Sequence, residues 1–218
     1  MLELVEPKPA RQPRLASDWR PLPRRLCSPP GLRSLCLTAG LGGEQVRDLP
    51  SLRGFLQRYQ ARVLAPLELP AIHGAFVHAS RFEVRELIAL DRRLANEPGL
   101  REFAAASRAA GCSRLWRLRP LRDQRLVSRY WQAIELGQAH GWHTVVYGVV
   151  LAVFSIPLRQ GLLNYGWQTL DGFVRAAARP LKLAAGDCEQ LLIESIPGLR
   201  AAVETAVNGS APAGLLIC

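Results

Sequence analysis

Thr144 to Ile156, TVVYGVVLAVFSI, holds no charged side chain, and this block constrains the fold more than any other segment. Crossing a bilayer takes about 18 to 20 apolar residues, so the block is too short to span one and predicts a helix buried in a globular core. Pro157 then restarts the chain, with Ser155 as the expected N-cap. Leu163, Trp167, Leu170, Phe173 or Val174 and Ala177 recur every three or four residues, which predicts a second helix with one inward face. From Gly141 to Arg179 the chain therefore reads as two helices meeting inside an all-α interior.

The flanking sequence extends that pattern. Residues 1–45 form a basic leader, with Pro7, Pro9, Pro13, Pro21, Pro23, Pro29 and Pro30 opposing regular structure, and are expected to be poorly ordered. Residues 46–207 read as one helical domain, and 208–218 as a short uncharged tail. Within the domain, Leu52, Phe55, Leu56, Tyr59 and Val63 share a helical face that should end before Pro66, and the next helix should run from near Glu68 to Ala79. Arg81 to Leu94 carries Val84, Leu87, Ile88 and Leu94 inward and should stop at Asn96 to Gly99. Pro98 suits a first helical turn, after which Leu100, Phe103, Ala104, Ser107, Gly111 and Leu115 form a stripe whose small members admit a close neighbour. A further helix fits Asp123 to His140. Asp187 with Gln190 resembles a capping box, and Pro197 should separate that helix from a last one carrying Leu199, Ala202, Val203 and Ala206. No segment alternates like a strand and no solenoid period repeats, so the expected fold is all-α, a single irregular bundle of eight or more helices.

The formal charge of +10 and pI near 10.2 raise the question of nucleic acid, but the arginines are scattered, without a dense stripe or a nucleic-acid motif, so no nucleic-acid partner is expected. Cys27, Cys36, Cys112, Cys188 and Cys218 form no C-x-x-C pair, which argues against a zinc site and favours a reducing cytoplasm. The start of the chain has acidic Glu3 and Glu6 and no apolar core of a secretory signal. There is no phosphate-cradling glycine loop, no H-E-x-x-H and no G-x-S-x-G, so no catalytic residue is assigned and the chain is not expected to be an enzyme. His140 and His143 would share a face on a continuous helix, but Gly141 between them suggests a junction, and a structural role is favoured over a metal site. His73 and His78 are five apart, poor helical spacing for a shared metal. Trp116, Trp131, Trp142 and Trp167 are candidates for core or for interface anchors. Asp171 and Arg175 should pair across one exposed turn. Many helices, small-residue seams and no reactive site point to work by protein binding.

Several segments, in order, resemble the F-type urease accessory protein family, UreF. Val46-Arg47-Asp48 with Ser51-Leu52-Arg53 and Phe55-Leu56 looks like its first long helix, and Leu69-Pro70 like its "LP" start. Glu86-Leu87 to Leu90-Asp91-Arg92-Arg93-Leu94 is similar to its "L-x-x-L-D-R-x-L" helix. Arg101-Glu102, Ala106-Ser107-Arg108 and Gly111 match "R-E-x-S-R-x-x-G". His143, Tyr147-Gly148, Pro157, Tyr165 and Val174 to Arg179 resemble "H…FG…YL…V-x-A-A-x-R". The ends depart from the pattern: the proline, double glycine and glutamate of the family's entry motif are missing from Gly31 to Gly42. After Arg179 stand Lys182-Leu183-Ala184-Ala185 and Glu189 in place of "P-L-G-Q" and a second Gln.

The resemblance implies a non-enzymatic cytoplasmic chaperone. It would dimerise, bridge the D-type (or H-type) accessory protein and the G-type GTPase, and dock on apo-urease while nickel is inserted. Nickel would be handled by the complex, with no cofactor bound stably and no metal ligand assigned to this chain. Arg179 and Lys182 are the expected partner contacts, with Tyr165 and Trp167 as anchors at a helical dimer seam. The rival reading is a basic helical adaptor at an anionic membrane surface, motivated by the net charge and the apolar block.

Overall fold

The first helix starts where side chains can satisfy its free amides. Asp48 accepts from Ser51 N at 2.9 Å and the Ser51 hydroxyl accepts from Asp48 N at 3.1 Å, a reciprocal cap closed by Pro50 in the first turn. The computed structural model describes residues 46–118, 125–179 and 181–209. The leader over 1–45, most of the tail and the start of the helix expected from Asp123 lie outside the described residues.

From that cap, α1 (Leu49–Tyr59) runs without a break through a π-helical segment (Gln60–Glu68) into α2 (Leu69–Ser80). The break expected at Pro66 does not occur. In an α-helix the proline would orphan a carbonyl and clash with the preceding turn. Here the turn is widened, as in the bond from Leu69 N to Leu64 O five residues back, and Pro66 is carried inside it. After a turn follow α3 (Val84–Ala95) and a 3-10 turn (Pro98–Phe103) that leads directly into α4 (Ala104–Arg117). The remaining helices are α5 (Arg125–Glu135), α6 (His143–Val153), α7 (Leu158–Ala178) and α8 (Ala185–Asn208).

Three further expectations are corrected. Pro157, not Ser155, is the N-cap of α7, and Ser155 sits in the preceding turn at φ 52°. Ala184 caps α8 without a side-chain bond, leaving Asp187 inside the first turn, where its charge faces the positive helix end. Pro197 does not split α8 either. Leu191, Ser195, Leu199 and Val203 form a buried stripe across it, and the Gln60 amide donates to the Ser195 carbonyl at 3.0 Å. Burial along the whole stripe outweighs the local cost of about 3 kcal/mol for an internal proline. With both prolines absorbed, the described residues form seven helical rods rather than eight or more, and all of their regular structure is helical.

α6 is the centre. Nine consecutive residues from His143 to Leu151 are buried, which is where the uncharged block goes. Its closest partner is α2, and Gly148 sets the approach: a Cβ there would lie 2.5 Å from Ile72 O and 2.6 Å from Ala75 Cβ. α3, α4 and α5 form one flank of this α2–α6 pair. α1, the π segment, α7 and α8 form the other, locked by Phe173 edge-on to Phe55 at 5.2 Å and to Tyr59 at 4.8 Å.

The entry to α6 is fixed by one carboxylate. Asp91, on the inward face of α3 and fully buried, accepts from Tyr130 OH at 2.8 Å, from Trp142 N at 2.9 Å and from His140 N. Gly141, at φ +71°, turns the chain between the two bound amides, and Gly111 of α4 leaves room for the Gly141 carbonyl against it. Ser107 then accepts from His143 N at 3.1 Å, and Arg92 donates to the Gln138 carbonyl at 2.6 Å.

Two stability measurements check this packing by urea denaturation. Asp91→Ala orphans three donors and is expected to cost about 3 kcal/mol or more, whereas Tyr130→Phe, which leaves both amides bound, is expected to cost about 1 kcal/mol. Equal effects of the two would contradict the assignment. Gly148→Ala is expected to destabilise by about 1–3 kcal/mol despite alanine's better helix propensity. The same change at Gly186, where a Cβ meets nothing within 4 Å, is expected to be neutral or stabilising by up to about 1 kcal/mol.

Candidate partner-binding site

Tyr165, on the inward face of α7, is only 6 % exposed, because it closes a buried polar cluster. Its hydroxyl bonds Glu68, the last residue of the π segment, whose Oε2 also accepts from Tyr59 OH at 2.6 Å. The Tyr165 ring lies 5.3 Å from that of Tyr147 and 5.9 Å from that of His143, both on α6, and Tyr147 OH donates to Gly161 O at 2.9 Å. Arg114 of α4 brings a positive charge to the His143 and Tyr147 side of the cluster.

Burial sets the proton affinities here. It pushes the Glu68 carboxyl up to about 7, opposed by the bonds from Tyr59 and Tyr165, and drives the Tyr165 phenol well above its usual value, with Glu68 adding to the rise. Burial, then the Arg114 charge, holds His143 well below the usual imidazole range. Burial also pushes Arg114 down to about 10. The cluster thus keeps His143 neutral and joins the π segment to α7 by hydrogen bonds among side chains whose charged forms are disfavoured.

The other expected contact residues lie outside. Trp167, two positions on from Tyr165, is 39 % exposed, and Arg179 and Lys182 are exposed just beyond α7. The chain turns there through Lys182 at φ 52°, with Leu183 N bonding Ala178 O at 2.9 Å. Asp171 and Arg175 pair as expected, Arg175 Nε lying 2.7 Å from both carboxylate oxygens. Arg179, Lys182 and Trp167 are therefore accessible on one rigid helix and its following turn, while Tyr165 braces that helix from within.

The histidines do not converge. His140 presents its amide to Asp91 while His143 faces Tyr165, because Gly141 reverses the chain between them. His73 Nδ1 donates to Ala206 O at 2.7 Å and His78 Nδ1 lies 2.8 Å from Glu83 Oε2. Among the described residues no three His, Cys, Asp or Glu side chains gather as a metal site. The periodic stripe expected on α7 put Trp167 inward and passed over Tyr165, whereas the buried face runs through Leu162 and Tyr165 to Leu170 and Trp167 points outward; nothing in the sequence signalled Glu68 beneath Tyr165, since the two are nearly a hundred positions apart.

The shift at Glu68 sets a pH dependence. The unfolded carboxyl releases its proton near 4.5 and the folded one near 7, so the folded state holds more protons between these values. Stability contributed by this group is therefore full below pH 4.5 and lost as pH rises through 7, about 3 kcal/mol in all, of which about 2 kcal/mol falls between pH 5 and pH 7.5. Glu68→Gln should remove that slope: denaturation at pH 5 and pH 7.5 should show the variant gaining on the wild type by about this amount. A pH-independent difference between the two proteins would contradict it.

No curated protein matches the chain. The model of the UreF family matches residues 46–195, from the residue before the α1 cap region to the buried Ser195 in the middle of α8, about two thirds of the chain and nearly all of its described helical body. Asp91, Gly148 and Tyr165, which respectively hold, space and brace the α6 neighbourhood, all fall within that match, and the chain belongs to the UreF family of urease accessory proteins.

Proposed function

We propose that this chain serves urease maturation as a scaffold for nickel insertion, bridging the D/H-type accessory protein and the G-type GTPase and docking on apo-urease in the cytoplasm as a homodimer. The family match over residues 46–195 carries this reading. Nickel is cargo of the assembly, and this chain contributes surfaces rather than a resident cofactor or a catalytic group. Rigid presentation fits such a role. Helix faces fixed by a packed core can hold two partners in register, so that the state of one is coupled to the other.

Arg179 and Lys182 contact a partner and Trp167 anchors it, on the helix that Tyr165 braces from below. Tryptophan and arginine are the side chains that most often concentrate binding energy at protein interfaces, and both are exposed on this helix and the turn after it. The membrane-adaptor alternative loses the apolar block that motivated it. Thr144 to Leu151 lie buried against α2 and α4, and among the described residues no helix is long and apolar enough to cross a membrane.

Co-expression of urease and its other accessory proteins, with and without this chain, tests the assignment by nickel content and urease activity. Activity that is equal in both cases sinks it. Within that system Arg179→Glu with Lys182→Glu is expected to reduce co-purification with the partner proteins at least tenfold, while leaving the unfolding midpoint of the isolated chain nearly unchanged, as befits exposed side chains. Undiminished co-purification would remove both residues from the interface.

A further inference from the structure

Among the described residues three positions other than glycine have positive φ: Phe82 at 58°, Ser155 at 52° and Lys182 at 52°. Each follows a helix end, where glycine is the usual occupant because any larger side chain is strained against its own backbone. At the end of α2 the closing motif is complete: Phe82 N donates to Ala79 O at 3.1 Å and Glu83 N to His78 O at 2.9 Å. The side chains at the two ends of that longer bond are commonly apolar, but here they are a polar pair, with His78 Nδ1 2.8 Å from Glu83 Oε2. Ser155 closes α6 in the same way, with Ser155 N donating to Ala152 O at 3.1 Å and Ile156 N to Leu151 O at 2.8 Å. Phe82 differs from the other two in its side chain. Its ring is 67 % exposed, more than any other large apolar side chain among the described residues, so the fold gains little from the ring to offset the strain.

We propose that Phe82 is a docking anchor, an aromatic projection that enters an apolar, acid-rimmed pocket on one of the partner proteins of the scaffold. The inference rests on the scaffold role proposed above and adds a contact on the α2–α3 turn, on different elements from Trp167, Arg179 and Lys182. Strain persists where the surrounding structure over-determines it, and such positions cluster at ligand clamps and binding sites. Here the two backbone bonds and the His78–Glu83 pair over-determine the turn, so the backbone that aims the ring is fixed before a partner arrives and less ordering is left to be lost on binding. Shape selects a pocket. One ring on a tight turn is not the broad apolar helix face that lies in a membrane surface. Charge selects the rim of that pocket. The Glu83 carboxylate is engaged by His78, whereas Arg81, exposed next to the ring, has no carboxylate partner among the described residues. Arg85 and Glu86, both exposed in the first turn of α3, offset each other. The charge of the turn that is left to meet a partner is the Arg81 guanidinium, which a carboxylate at the pocket rim complements.

Binding of the full-length chain to the purified D/H-type accessory protein, G-type GTPase and apo-urease, each in turn, tests this by interferometry alongside thermal unfolding of the isolated chain. Phe82→Gly relieves the strain and removes the ring: its unfolding midpoint is expected to rise by about 2–4 °C, while its affinity for the partner that takes the ring falls at least tenfold. Phe82→Tyr keeps the ring and is expected to bind within threefold of the wild type. Ser155→Gly relieves the same strain without touching the ring, and is expected to raise the midpoint and leave every affinity unchanged. Wild-type binding that Phe82→Gly leaves intact overturns the anchor while the scaffold role stands, and a wild type that binds none of the three overturns both. A lowered midpoint in Phe82→Gly also overturns the anchor, because the ring would then be structural. So does loss in Phe82→Gly of self-association or of binding to phosphatidylserine vesicles with partner affinities unchanged, since the ring would then serve another surface.

Discussion

A single buried carboxylate organises this molecule. Asp91 accepts hydrogen bonds from two amides and a phenol that lie 39 to 51 positions away in sequence, so it ties α3 to α5 and to the turn that launches α6. Removing a carboxylate from water costs several kcal/mol unless its lone pairs are occupied, and three donors occupy them here. The cost becomes specificity. Only one path of the 138–142 segment presents the His140 and Trp142 amides to the same side chain, and that path requires the left-handed turn at Gly141 and the gap at Gly111. Once the path is fixed, α6 enters the core in one register, with Gly148 against α2 and His143 and Tyr147 against Tyr165.

That register carries through to the outer surface. The Tyr165 hydroxyl bonds Glu68 and its ring packs on α6, so the rotation of α7 about its axis is set from inside the protein. Trp167 and the turn holding Arg179 and Lys182 inherit their direction from it. The scaffold role proposed above would need this chain of constraint more than reactive groups, because misplacing a docking face disrupts every partner that shares it.

The apolar block of α6 was legible because burial on all sides leaves its mark in composition: a helix with no solvent face has no reason to carry charge. The inward faces of α1 and α3 were legible through their spacing, and Asp171 with Arg175 through the geometry of one helical turn. Pro66 and Pro197 misled because the rule that proline ends a helix is local, whereas the π turn and the buried stripe of α8 that override it are tertiary. Asp187 misled in the same way: a competent cap is not used when the helix already begins at Ala185 behind Ala184. Asp91 and Glu68 read as ordinary polar residues on helices, and their roles depend on donors that only the folded chain brings to them. The family resemblance singled out Leu90-Asp91-Arg92 without saying what the aspartate does. Tyr165, expected at an outer seam, is instead buried and bonded to Glu68.

If Asp91 is the constraint on which the rest depends, the amides it binds must open only when the whole protein does. Native-state hydrogen exchange at His140 and Trp142 measures this directly. The account predicts that both amides exchange with the same free energy as the buried amides of α6, and that in Asp91→Asn they exchange by local opening well before α6 does. Exchange at His140 and Trp142 as fast as in an exposed turn of the native wild-type protein would contradict it.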